Sequence, residues 1–174
     1  MKKISKLKGF TLIELLIVVA IIGLLSGIIF IAVNKARENA YMAAAQKEIF
    51  SIATAIEFYM DDYGDYPPDV NRDIPPGLEE YLGPGAWPKA PWPGSVYDWD
   101  VWDDPDNPGE KIYQISIRFC EIDQPSTCRF PDKPWAEDFD IVSSVYYCIS
   151  GACRAHGSYP ADHPGYCINC GQSE

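Results

Sequence analysis

The sequence predicts an α+β protein: one long N-terminal hydrophobic helix, packed by its C-terminal half against a small antiparallel β-sheet head with a disulfide-stapled C-terminal region. Three observations predict it. An apolar run from Phe10 to Val33 passes without a break into a stretch, Asn34 to Tyr63, that holds neither proline nor glycine. Beyond Gly64 come three runs rich in β-branched and aromatic residues, separated by turn signals. Six cysteines then fall in three local pairs. One helix followed by a few strands is the ordering of the α+β class. The chain has 174 residues, 47% hydrophobic and 22% charged, which excludes disordered and collagen-like classes. Its formal net charge of −11 sets it against nucleic-acid backbones.

Met1 to Gly9 reads MKKISKLKG, with Lys2, Lys3, Lys6 and Lys8 and no acid. The 24 residues from Phe10 to Val33 carry only Thr11, Glu14 and Ser26 as polar side chains. As helix they measure roughly 36 Å, enough to cross a hydrocarbon core of roughly 30 Å. Lysines before the span hold that end in the cytoplasm, so the chain after Val33 is expected outside. A secretory signal would place a small residue after a shorter apolar core. Here Gly9 precedes the run, so a cut at that point leaves the span on the mature protein. Glu14 needs an account, because a lone acid in a membrane helix is costly. Either it reaches back to the headgroups, or it meets a cation. A cut after Gly9 creates such a cation, the α-amine of Phe10, and pairing between neighbouring helices would neutralise both charges and fix their stagger.

The run Lys8-Gly9-Phe10-Thr11-Leu12-Ile13-Glu14-Leu15-Leu16 resembles the prepilin cleavage and methylation motif of the type IV pilin superfamily, which includes the pseudopilins of type II secretion. The resemblance covers Lys8 to Ala32. It implies cleavage between Gly9 and Phe10, N-methylation of Phe10, and an assembly role for Phe10 and Glu14. The chain then divides into a leader (1–9), a transmembrane and assembly helix (10–33), an amphipathic second half of the same helix (34–63) and an acidic, cysteine-containing head (64–174). One departure is Ile31, where many members of the family carry a helix-kinking proline. Gly23, Ser26 and Gly27 remain as the soft points of the anchor.

Past the membrane, Ile49, Ile52, Ala53, Ile56, Met60 and Tyr63 recur at helical spacing, with Lys35, Arg37, Glu38, Gln46, Lys47, Glu48 and Glu57 mainly off that stripe. Gly64 and Pro67-Pro68 stop the helix, which from Phe10 to Tyr63 would run roughly 80 Å. In the head, Gly77 to Leu82 is a short helical candidate, and strands are expected at Ser95–Val101, Lys111–Phe119 and Asp140–Ile149. The Tyr66-Pro67 stop, the Gly77-Leu78-Glu79 turn and Pro91-Trp92 also resemble the start of the head in major pseudopilins.

Asp98, Asp100, Asp103, Asp104, Asp106 and Glu110 crowd within thirteen residues. Carboxylates are hard oxygen ligands, and a loop with Pro105, Asn107, Pro108 and Gly109 is able to wrap Ca²⁺. The spacing is not that of an EF-hand. The resemblance to major pseudopilins implies a calcium loop near this part of the head, and a solvated acidic loop fits the same residues. Apart from that ion, no cofactor is expected.

Six cysteines permit 15 connectivities. Ser150-Gly151 reads as a two-residue hairpin turn, which would set Cys148 opposite Cys153 with Cα atoms roughly 4.5 Å apart. Cys120–Cys128 would close a short loop around Pro125, and Cys167–Cys170 a CxxC bridge. The competing zinc pattern, Cys148, Cys153, Cys167 and Cys170 with His156 and His163 nearby, is disfavoured outside the cytoplasm, where thiols oxidise.

Nothing points to an enzyme. His156 and His163 are the only histidines, and no hydrolase, phosphate-binding or dinucleotide motif appears. The reading is a prepilin: inserted in the cytoplasmic membrane with its head outside, cut and methylated by a prepilin peptidase, and polymerised through its helix into a cell-surface or periplasmic filament. Its expected partners are itself, the lipid bilayer, a membrane-embedded assembly platform and minor pilins. Two other readings stay open: a major pseudopilin driving protein export, and a monomeric membrane-tethered binding module.

Overall fold

In a computed structural model of the chain, residues 10–83, 87–156 and 163–171 are described. The chain forms two compact units, 1–39 and 40–174. Helix α1, Leu12–Tyr63, contributes to both.

Within the first unit every side chain from Phe10 to Val33 is exposed. Ser26 satisfies its hydroxyl on the Ile22 carbonyl one turn back at 2.7 Å, so it adds no free donor to an apolar surface. A carbon added at Gly23 or Gly27 would meet nothing within 4 Å. This helix is long and apolar enough to cross a membrane.

In the second unit α1 buries Ala45, Ile49, Ile52, Ala53, Ala55 and Ile56, one face at three- and four-residue spacing. Tyr63, placed on that stripe by its spacing, is instead exposed and stacks on Tyr59 at 4.4 Å between ring centroids. Gly64 takes a left-handed φ of 76° and its N–H caps the Met60 carbonyl at 2.9 Å, which ends the helix. A four-residue helix follows, α2 (Glu79–Leu82).

The sheet has the order β1-β2-β3-β4, with β1 Val96–Asp103, β2 Lys111–Arg118, β3 Ser144–Ser150 and β4 Gly165–Cys167. β1, β2 and β3 pair antiparallel in sequence order, and β4 joins β3 parallel. The sheet is therefore mixed, and its three-residue edge strand was not among the expected ones. Alternation along the strands gives it two unlike faces. Tyr97, Trp99, Ile115, Ile117 and Val145 join the buried residues of α1 in one core. The opposite face carries Asp98, Asp100, Gln114, Ser116 and Arg118, and they are buried too.

The chain does not fold back as a second hairpin strand after Ser150-Gly151. Cys153 lies outside the sheet, and its bridge to Cys148, with Cα atoms 5.5 Å apart, closes a turn rather than a cross-strand pair. The sheet partner of this part of β3 is a side chain. Asn169 accepts from the Cys148 N–H at 2.9 Å and donates to the Cys148 carbonyl at 2.7 Å, continuing the ladder beyond β4. Gly151 sits at φ 87°, and a Cβ there would lie 2.5 Å from the Lys111 carbonyl oxygen. Gly151→Ala is expected to cost about 2–3 kcal/mol in chemical unfolding, combining left-handed strain with a backbone clash. Gly94→Ala is the control, since Gly94 shares the positive φ but has open space around it, and about 1 kcal/mol is expected there.

Candidate functional site: the capped membrane helix and the charged back of the sheet

The start of α1 is built by a capping box. Thr11 is the N-cap: its hydroxyl accepts from the Glu14 N–H at 3.3 Å. The Glu14 carboxylate returns the contact, accepting from the Thr11 N–H and the Thr11 hydroxyl, both at 2.8 Å. The spacing Thr11-Leu12-Ile13-Glu14 is the S/T-x-x-E signature, so this role of Thr11 was readable in the sequence and was passed over there. The box closes two N–H groups that would otherwise be unpaired in an apolar medium. It also holds one carboxylate oxygen of Glu14 at the end of the helix where the dipole favours negative charge. Phe10, immediately before the cap, is 86% exposed. Gly9, the other half of the expected cleavage site, lies outside the described residues.

The expected acidic cluster separates into two groups, each built around an arginine. On β1, Asp98 and Asp100 point the same way, as alternate strand residues must. Both meet Arg118 of β2, through Nε to Asp98 at 3.2 Å and Nη2 to Asp100 at 2.8 Å. Arg118 also donates through Nη1 to the carbonyls of Val142 at 3.2 Å and Ala155 at 3.1 Å. Asp98 accepts in addition from the Arg72 N–H at 2.7 Å, and Asp100 from the Ser116 hydroxyl. Burial, then the neighbouring Asp100, pushes the Asp98 carboxyl up from the ordinary range against the pull of Arg118. In the following loop, Arg154 reaches Asp104 at 3.4 Å and Asp106 at 2.7 Å. Asp104 is held below the ordinary carboxylate range by the Asn107 side chain and the Asp106 N–H. Asp103 turns to Lys111 at 3.2 Å.

Asp98, Asp100, Asp103, Asp104 and Asp106 thus do not converge. Among the described residues, no three histidine, cysteine or acidic side chains gather to hold a metal ion. Arg118 is seated on Asp98 and Asp100, and Arg154 on Asp104 and Asp106, so a Ca²⁺ at either group would have to displace an arginine.

The six cysteines are bridged as Cys120–Cys128, Cys148–Cys153 and Cys167–Cys170. The zinc pattern therefore has no thiolates to offer. His163 contacts Asp140 at 2.7 Å, and the Asp140 carboxylate also accepts from Ser143 and Val142. Burial would raise Asp140, but the His163, Ser143 and Val142 bonds together hold it below its ordinary value. A depressed carboxylate adds stability above its unfolded pKa and loses it as pH falls through the folded one. Asp140→Asn is expected to lower stability at neutral pH and to flatten the acid limb of a stability–pH curve below about pH 4.

An uncovered membrane-length helix with a capped acidic start, continuing into a disulfide-linked α+β unit, fits a protein anchored in a membrane by its N-terminal helix. Comparison gives the family. Residues 4–30 match the model of the prokaryotic N-terminal methylation motif. The chain is 30% identical over 109 residues to the type II secretion system core protein G of Vibrio cholerae, covering 57% of this chain and 74% of that protein. No solved structure matches it. The chain belongs to the type IV pilin and pseudopilin superfamily, a family of structural subunits.

Proposed function

We propose that this protein is a filament subunit of the type II secretion kind, cut between Gly9 and Phe10, N-methylated on Phe10 and polymerised through α1. The observation that carries the reading is the first unit itself. From Phe10 to Val33 a single chain leaves every apolar side chain uncovered, along a segment whose one acid sits at its capped start. Lipid covers that surface before assembly, and like helices cover it afterwards. The Phe10 α-amine of one subunit then meets the Glu14 carboxylate of the next. Similarity to core protein G over most of that protein's length favours a pseudopilus that drives export over a long surface pilus.

Deletion of this chain tests the role. The secretion reading expects exported proteins to be retained in the periplasm and no loss of long fibres from sheared surface material. Loss of long sheared fibres with export intact would assign the chain to a surface pilus instead.

A further inference from the structure

Residues 165–171 close the outer edge of β3 in two different ways. Over β4 the cover is backbone: Gly165 pairs beside Ser144 and Cys167 beside Tyr146, and the Ile168 N–H still donates to the Tyr146 carbonyl at 2.8 Å. One step further it is a side chain, since Asn169 takes both main-chain groups of Cys148. Ile168 and Asn169 are the two residues enclosed by the Cys167–Cys170 bridge. That small ring presents both of them to β3, one by its amide and the other by its side chain.

The two ends of the bridge are not alike. Cys167 is 1% exposed and clusters with Tyr146 and Ala155. Cys170 is exposed, and it alone of the six cysteines is. β4 has a further hold, because Tyr166 stacks on Trp135 with ring centroids 4.3 Å apart. Past Cys167 the segment is tied to β3 by the Ile168 and Asn169 hydrogen bonds and kept in shape by the bridge. Three hydrogen bonds at a solvent-facing edge are of the same order as the entropy lost in ordering three residues. The ring, by restricting those residues beforehand, decides whether they stay.

Exposed bridges are the labile ones in thiol–disulfide exchange. We propose that Cys167–Cys170 is an exchange site that takes a dithiol, and that its opening uncovers the edge of β3 at Cys148. A thiolate of the dithiol attacks the exposed Cys170 sulfur. A mixed disulfide forms there, the Cys167–Cys170 bond breaks, and Cys167 leaves as a thiolate and takes up a proton. The second thiol of the partner attacks the mixed disulfide and frees Cys170. The partner ends as a disulfide, oxidised by two electrons, and the chain holds two thiols. A monothiol stalls at the mixed disulfide, because Cys167, three residues away, expels it and re-forms the bridge. The site lies wholly within the second unit, and its failure would leave the assembly reading untouched.

The test exposes the full-length protein in detergent to dithiothreitol or, at equal thiol concentration, to glutathione, with N-ethylmaleimide quenching and peptide mass mapping. Cys167 and Cys170 are expected to be labelled at least about tenfold faster than the other four cysteines, and at least about tenfold faster with dithiothreitol than with glutathione. Amide hydrogen exchange reads the structural half. Once dithiothreitol has opened that bridge alone, the Cys148 and Ile168 amides are expected to exchange at least about tenfold faster, with those of β1 and β2 unchanged. Cys167→Ala/Cys170→Ala is expected to give the same pattern with no reductant, and Asn169→Ala to give it at Cys148 with the bridge intact. Equal labelling of the three bridges, or equal opening by glutathione, would overturn the exchange site. Unchanged exchange at Cys148 in the opened protein, or a rise spread evenly over β1 and β2, would overturn the uncovering.

Discussion

Replacing Glu14 with alanine is expected to leave the subunit inserted in the membrane and cleaved, while cutting the yield of assembled filament at least tenfold. In the isolated chain the Glu14 carboxylate is tied to Thr11, a contact that caps the helix but supplies no opposite charge. Under the proposed mechanism the compensating cation is the neighbouring subunit's Phe10 α-amine. Removing one partner of a desolvated pair costs about 3–5 kcal/mol, because the other charge is left alone, and a filament repeats that loss at every subunit. Glu14→Gln separates capping from pairing. Its amide oxygen still accepts from the Thr11 N–H, so the helix start survives, but the charge is gone. The pairing mechanism expects Glu14→Gln to assemble as poorly as Glu14→Ala, measured by immunoblot of sedimented filaments against cleaved subunit in the membrane. Wild-type assembly by Glu14→Gln beside failure of Glu14→Ala would make the cap, not the charge, the assembly determinant. Normal filaments from both would remove Glu14 from the mechanism.

The second large effect is expected at Arg118. Its side chain joins Asp98 and Asp100 across β1 and β2 and ties the Val142 and Ala155 carbonyls to the same sheet face. Desolvation pulls its pKa down, but Asp100 and Asp98 outweigh it and hold the pKa above the ordinary value. Arg118→Met keeps much of the volume and strands two buried carboxylates. The head is expected to lose about 3–5 kcal/mol in denaturant unfolding at neutral pH. The sign of the pH dependence follows from Asp98, already raised by burial and Asp100 in the native protein. Without the arginine it rises further, so the folded state binds a proton that the unfolded state has released. The deficit is therefore expected to shrink as pH falls. Adding Asp98→Asn and Asp100→Asn to Arg118→Met is expected to recover part of the loss. A deficit independent of pH and unrelieved by the asparagines would mean that Arg118 acts through packing alone.

How much of this was legible in the sequence differs by element, for physical reasons. The helix was open to reading from both halves: an unbroken apolar run, then Ile49, Ile52, Ala53 and Ile56 at helical spacing, ended by Gly64. Tyr63 misled because spacing says which face a residue occupies, not whether the head still covers that face at the last turn. The Thr11–Glu14 box needed no structure, only attention to the cap as well as to the charge. The acids were harder. Asp98 and Asp100 read in one dimension as part of a loop-like cluster with Asp103 to Asp106. Their common side follows from the expected strand Ser95–Val101, but Arg118 beside them becomes visible only with the register of β1 and β2. Arg154 stands some fifty residues from Asp104, and no local signal links them. The same limit applies to β4, three residues long, parallel and supported by the Asn169 side chain, in a tail whose glycine and proline content signals turns. The two-residue hairpin expected at Ser150-Gly151 does not form: Ser150 ends β3 and the chain bends away at Gly151, a path that depends on Lys111 and Asn169, which no window around it contains.

The measurement that bears most directly on the account is the intact mass of the protein extracted from membranes and from sedimented filaments of the same cells. Both pools are predicted to lack residues 1–9, to begin at Phe10 with one methyl group on its nitrogen, and to gain the mass of six hydrogens on full reduction, while Glu14→Gln empties the filament pool alone. Filaments built from subunits that begin at Met1 would contradict it, because no Phe10 amine would then exist for Glu14 to meet.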